Sequence, residues 1–146
     1  MEELYLANQL CFPLYATSKE IIRHYAPLLK PLNLTYTQYL VMLVLWEQKQ
    51  VTVKVLGQAL CLDSGTLTPV LKKLEEKNYV MRTRGASDER KLLITLTDDG
   101  VGLQKQAEGI PAAIMSSLPL EQEELETLQA LTKKMLVRFR QQNSND

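Results

Sequence analysis

The stretch Thr52-Val53-Lys54-Val55-Leu56-Gly57-Gln58-Ala59-Leu60, then Cys61-Leu62-Asp63, then Ser64-Gly65-Thr66-Leu67-Thr68-Pro69-Val70-Leu71-Lys72-Lys73-Leu74, decides the fold of this chain. Thr52 supplies a hydroxyl N-cap for a short helix over residues 53–60, with Val53, Leu56 and Leu60 on one face. Gly57 lets a neighbour approach that helix closely. After the turn at residues 61–63, Leu67, Val70, Leu71 and Leu74 recur at the i, i+3, i+4, i+7 spacing of a second helix. Thr66, Thr68, Pro69, Lys72, Lys73 and Glu76 are thereby turned outward. Proline is tolerated only near a helix start, so the outward threonines belong to the first turns.

Working outward from this pair, residues 79–83 and 92–96 are short runs rich in Val, Ile, Leu and Thr, joined by Arg84-Gly85-Ala86-Ser87-Asp88-Glu89-Arg90-Lys91. That is a hairpin with a charged, glycine-bearing tip. Thr97 and Asp98 then cap a helix reaching about residue 117, with a kink expected at Gly109-Ile110-Pro111, and Pro119 opens a last helix. Leu125, Leu128, Leu131, Met135 and Phe139 form its stripe, with acids near its start and bases near its end as the helix dipole favours. Residues 141–146 read as a disordered tail. Toward the N-terminus, residues 4–29 predict one long amphipathic helix, in which Pro13 should produce a bend just after Cys11. Thr35 caps a very apolar helix over residues 39–46, and its lack of a polar face predicts burial, Trp46 included. The expected fold is mainly α with a small β-hairpin wing, a winged helix-turn-helix.

At 146 residues the chain fits one domain. Its Lys+Arg and Asp+Glu counts are equal at 17 each, so no global field marks a nucleic-acid or membrane partner. The distribution is uneven. Residues 49–95 hold nine Lys or Arg against five acids, and the remainder holds eight against twelve. The sole histidine is His24 and the two cysteines form no C-x-x-C pair, so a tetrahedral metal site lacks its ligands and no cofactor is expected. His24 reads as a surface or satisfied core residue. No run approaches the roughly 18 apolar residues that span a bilayer, and the start Met1-Glu2-Glu3 lacks a basic, apolar leader, so a cytoplasmic protein with reduced thiols is expected.

The order of elements and the basic middle suit double-stranded DNA. The second helix enters a major groove with Ser64, Gly65, Thr66, Thr68 and Pro69 toward the bases, while Lys72 and Lys73 neutralise phosphates. Arg82, Arg84, Asp88 and Arg90 belong to the wing, with Arg90 at a tip suited to the minor groove. The alternative for these charges is a plain solvated surface.

Leu62-Asp63-Ser64-Gly65-Thr66-Leu67-Thr68-Pro69, then Leu71-Lys72-Lys73-Leu74-Glu75, then Asp88-Glu89-Arg90 before Ile94-Thr95-Leu96-Thr97-Asp98-Asp99-Gly100, resemble the MarR family of transcription regulators. Asn8-Gln9-Leu10-Cys11-Phe12, Leu14-Tyr15-Ala16 and Asn33-Leu34-Thr35-Tyr36 with Gln38-Tyr39 resemble its OhrR branch, with the related SarZ regulators. The resemblance implies a homodimer on a palindromic operator. Residues 1–33 and 111–142 would form the dimerisation helices and residues 34–100 the DNA-binding region of a single domain. It further implies that Cys11 is a peroxide sensor held by Tyr25 and Tyr36 of the partner subunit.

Read from its residue type alone, Cys11 is either a small buried hydrophobe or a reactive thiol. No cysteine follows Cys61, so oxidised Cys11 would pair with a small thiol or stop at an oxyacid. Cys61 is expected to pack within its turn. Three functions compete: a repressor released by organic hydroperoxide in an oxidative stress response, a repressor controlled by a small aromatic or anionic molecule, and, weakest, a thiol peroxidase. The first two are not enzymes.

Overall fold

The computed structural model describes residues 1–85 and 91–145. Its elements are α1 (Cys11–Leu29), α2 (Tyr36–Gln48), β1 (Gln50–Thr52), α3 (Val53–Leu60), α4 (Ser64–Glu76), β2 (Val80–Arg84), β3 (Leu92–Leu96), α5 (Asp98–Ala107), α6 (Ile110–Ser117) and α7 (Gln122–Ser144). Two compact units contain them, Met1–Pro111 and Ala112–Asp146.

In the first unit, α2 is the centre. Thr35 and Gln38 form a capping box at its start, with the Thr35 N–H donating to Gln38 Oε1 (3.1 Å) and the Gln38 N–H to Thr35 Oγ1 (3.3 Å). Val41, Met42 and Leu45 are then wholly removed from water, as the absence of a polar face predicts; Leu43 is turned out, as are Glu47 and Gln48 at the end of the helix. Trp46 is buried too, and its indole N–H donates to Gly100 O at 2.9 Å. α4 rests on α2, α3 and β2 through Leu67, Leu71 and Leu74, each almost fully buried. Burying a leucine stabilises by about 1.5–3 kcal/mol, so this stripe fixes how α4 sits.

β1, β3 and β2 form a three-stranded antiparallel sheet in that order. Val80 pairs with Leu96 and Arg84 with Leu92, as a hairpin requires. The third strand, β1, is an addition to the expected hairpin: Val51 pairs with Ile94 and Thr52 with Leu93, immediately before Thr52 caps α3 by accepting the Val55 N–H.

The N-terminal helix differs from expectation. It begins at Cys11, after short 3-10 turns at Glu2–Leu4 and Leu6–Asn8. Pro13 therefore lies in the first turn, where its missing N–H has no intrahelical partner to lose, and the expected bend does not arise. The proline inside the helix is Pro27. The break between α5 and α6 falls at residues 108–109, and Pro111 stands in the first turn of α6.

In the second unit, α7 starts on a Glu121/Glu124 capping box, not at Pro119. It runs to Ser144, so most of the expected tail is helical. Leu125 is buried, whereas Leu131, Met135, Leu136, Val137 and Phe139 are exposed. Among the described residues no helix is long and apolar enough to cross a membrane.

Gly57 shows why the α3–α4 turn closes tightly. A Cβ there would sit 2.7 Å from the Leu62 carbonyl oxygen. Gly57→Ala should therefore cost about 1–3 kcal/mol by overpacking, visible as a lowered Tm in thermal unfolding; an unchanged or raised Tm would show that the turn yields freely.

Candidate DNA-reading surface and thiol site

Asp63 is the N-cap of α4 and accepts the Thr66 N–H at 2.7 Å. The Thr66 N–H and hydroxyl hold its carboxyl below the usual range. Ser64, Gly65, Thr66, Thr68, Pro69, Lys72 and Lys73 are all exposed, so the outward face expected of this helix is present as one surface. Thr68 Oγ1 donates to the Ser64 carbonyl at 2.7 Å, leaving its oxygen lone pairs outward as acceptors. Lys73 lies 3.5 Å from Glu76 in an exposed pair, the kind that contributes little.

Arg82 has a different setting. Its backbone N–H donates to Glu75 Oε2 (2.9 Å) while Nε and Nη2 converge on Glu75 Oε1 (3.1 and 3.0 Å). This ties the first wing strand to the C-terminal end of α4. Sequence reasoning put Arg82 in the DNA set and gave Glu75 no role, because two residues seven apart across a turn share no helical face. Arg84 is exposed on the same strand. Asp88 and Arg90 lie outside the described residues.

At the other end of the unit, Tyr25 of α1 and Tyr36 of α2 meet with ring centroids 4.8 Å apart, and Tyr39 lies 5.7 Å from Tyr25. Burial, then the neighbouring Tyr36 and Tyr39, push the Tyr25 phenol up to about 12. Burial likewise raises Tyr36. Both phenols therefore keep their protons at neutral pH and are hydrogen-bond donors. Cys11 is exposed, at the first position of α1. Fourteen residues of helix separate it from Tyr25, about 21 Å at 1.5 Å per residue, so within one chain the thiol does not join the tyrosine pair.

Cys61 is exposed, not packed in its turn. It is the C-cap of α3 with φ 55°, a left-handed conformation that glycine or asparagine usually fills. Cys61 lines a cleft of about 430 Å³ together with Val53, Lys54, Gly57, Gln58 and Leu62. His24 is at the surface. Among the described residues, no group of His, Cys, Asp and Glu is arranged to hold a metal ion.

The SarA/Rot family of transcriptional regulators matches residues 23–107, more than half of the chain. The organic hydroperoxide resistance transcriptional regulator of Bacillus subtilis is 45% identical over 142 residues, covering 97% of both chains. The regulator SarZ of Staphylococcus epidermidis is 46% identical over 128 residues, 88% of this chain and 86% of that one. Reduced AbfR bound to DNA has a similar structure, with a TM-score of 0.81 and 40% identity over 97% of this chain and 96% of that one. The chain belongs to the MarR family of transcriptional regulators, in the branch of the organic hydroperoxide resistance and SarZ proteins. In this MarR-family chain the fold is thus that of a winged helix-turn-helix regulator, and its exposed α4 face is the surface that fold presents.

The Glu75–Arg82 pair has a pH signature. Hydrogen bonds from the Arg82 side chain and backbone hold the Glu75 carboxyl below its ordinary range. Its contribution is fully present above the unfolded-state value, about 4.3, and is lost as pH falls through the depressed folded one. Both groups are partly solvated, so the contribution is below about 1 kcal/mol. Acid titration of Tm should accordingly show a steeper fall below pH ~4.5 for the parent than for Arg82→Met; superimposable profiles would deny the pair a structural role.

Proposed function

We propose that the protein is a homodimeric repressor that binds a palindromic operator in double-stranded DNA and is released when organic hydroperoxide oxidises Cys11. The observation that carries this reading is the half-buried Tyr25–Tyr36 pair, separated from the thiol of its own chain by a helix length; the family resemblance implies that tyrosines at these positions hold a sensing thiol across subunits. A second copy supplies the missing thiol. The exposed apolar residues of the terminal segments, Leu10, Phe12 and Leu14 in one unit and Met135, Val137 and Phe139 in the other, favour burial in such a dimer. Residues 1–33 and 111–142 would serve dimerisation and residues 34–100 DNA binding.

The chemistry balances with the groups at hand. The Cys11 thiolate attacks one peroxide oxygen, the O–O bond breaks, and the alkoxide leaves and takes up a proton, which a tyrosine hydroxyl of the partner subunit would relay from solvent. Cys11 becomes a sulfenic acid, and condensation with a small thiol gives a mixed disulfide and water. The added atoms occupy an interface position, and the paired tyrosines must move. The protein acts as a regulator, not as a thiol peroxidase, and does so in the cytoplasm.

On DNA, Ser64, Gly65, Thr66, Thr68 and Pro69 face base edges, and Lys72 and Lys73 the phosphates, with Arg84, Asp88 and Arg90 in the wing; Arg82 supports the wing through Glu75. Thr68 meets a base as an acceptor, which suits the amino groups of adenine and cytosine. A second reading has one observation in its favour. An open cleft of about 470 Å³, lined by Ile22, Ala26, Leu29, Lys30, Tyr36 and Lys77, joins apolar walls to two cations and suits a small aromatic or anionic effector.

Two measurements test the proposal. In DNA-binding titrations before and after treatment with cumene hydroperoxide and cysteine, the parent should lose at least about ten-fold in affinity and Cys11→Ser should lose none. Release of Cys11→Ser at the same dose would remove Cys11 as the sensor and favour the effector reading. Lys72→Ala should weaken binding nearly uniformly across sequences and lower the salt slope by about one, whereas an unaltered slope would take Lys72 off the phosphates.

A further inference from the structure

Lys77 follows the last turn of α4 and belongs neither to the surface assigned to DNA nor to the thiol site. Its ammonium donates to the Asn33 carbonyl at 2.6 Å and to Gln38 Oε1 at 2.8 Å. The first acceptor lies in the turn joining α1 to α2 and the second in the first turn of α2. Asn33 closes the 3-10 turn Lys30–Leu32 with φ 54°, and Gln38 is buried as a partner in the capping box that starts α2. Gln38 Oε1 thereby accepts from two donors, the Thr35 N–H and Lys77. Tyr36 stands between those two cap residues in sequence, with its ring on Tyr25. A second tie lies two residues further on, where the Tyr79 hydroxyl donates to the Leu32 carbonyl at 3.1 Å.

We propose that Lys77 is the positioning residue that passes the state of the Tyr25–Tyr36 pair to the DNA-reading helix. This rests on the function proposed above. A displaced Tyr36 takes the first turn of α2 with it, because Thr35 and Gln38 cap that turn reciprocally. Gln38 Oε1 moves with the Thr35 N–H that it caps and is carried away from its other donor, the Lys77 ammonium. The Lys77 ammonium is partly withdrawn from water, which with the nearby Lys73 lowers its pKa, so loss of the Gln38 acceptor is not simply made good by solvent. The end of α4 follows the turn. Thr66 lies eleven residues from Lys77, about 17 Å along the helix, and a tilt of about 10° at the anchored end moves the reading residues by about 3 Å. Contacts to base edges do not survive such a shift.

The test uses the full-length protein and a duplex selected from a random pool by its reduced form. The ratio of Kd after to Kd before treatment with cumene hydroperoxide and cysteine is read beside the mass of the Cys11-bearing peptide. Lys77→Met keeps the apolar stem and removes the donors. It should reach the same extent of Cys11 modification and bind within about three-fold of the parent when reduced, while its ratio falls about ten-fold below the parent's. Lys77→Arg, which retains cationic donors, should keep the parent's ratio. Should Lys77→Met fail to fold, Lys77→Gln gives the same comparison. A parent-like ratio in the methionine or glutamine variant overturns the proposal, as does an equal loss in that variant and Lys77→Arg, which would mark a merely structural role. A parent whose Cys11 is fully modified while its Kd is unchanged overturns the function proposed above and leaves Lys77 no signal to pass.

Discussion

Burial of α2 on nearly every side is the constraint from which the rest of the first unit follows. A helix whose Val41, Met42 and Leu45 have no contact with water must be surrounded, and each neighbour is held by what it covers. α4 lies against it through three leucines, leaving the opposite face of α4 in solvent. Trp46, near its end, fixes the start of α5 through Gly100, and Tyr36 and Tyr39, at its beginning, gather Tyr25. The tyrosine cluster and the solvent-facing helix therefore belong to one packed body. Interiors at crystal-like density transmit displacement without absorbing it, which lets a change of a few atoms at one place matter at another.

Electrostatics is arranged by position instead of by sum. The balanced total of 17 cations and 17 anions conceals a basic middle, and within that middle the cations have separate tasks. Arg82 and Lys77 are engaged by Glu75, Gln38 and Asn33, and these bonds set the wing and the end of α4 relative to neighbouring elements. Lys72 and Lys73 project from the exposed face. A count of basic residues treats all four alike, whereas hydrogen-bond geometry separates those that shape the surface from those that display it.

Much of this was legible locally. Thr35, Thr52 and Thr97 each cap the helix that follows, and such caps are written within four residues. The leucine stripe of α4 and the hairpin strands likewise follow from short-range periodicity. What escaped is non-local or hidden by continuity. β1 is only three residues long and exists because β3, more than forty residues later, pairs with it. Apolar spacing continues upstream of Cys11, so periodicity could not show that the helix starts there and that Pro13 is harmless. The Glu75–Arg82 and Lys77–Gln38 bonds join residues with no common period. Tyr25 and Tyr36 were singled out by family resemblance alone; no composition or spacing rule pairs a tyrosine on one helix with a tyrosine after the next break.

The size of the proposed switch follows from the symmetry of a dimer. Coupling between two sites in one protein commonly amounts to 1–3 kcal/mol, roughly a five- to 150-fold change in affinity. Specific binding to DNA exceeds non-specific binding by about 4–10 kcal/mol. One oxidised subunit thus removes only part of that margin, and the protein would stay on its operator, weakened. In the proposed dimer two thiols, each set against the tyrosines of the other chain, would act on the same pair of reading helices, and their couplings would add to about 2–6 kcal/mol. That sum reaches the lower part of the specific margin. The physical demand is for two modest displacements that agree in direction, which a closed two-fold interface enforces because each subunit's shift is the mirror in role of its partner's. Release then tracks the square of the oxidised fraction, so low background oxidation leaves repression nearly intact.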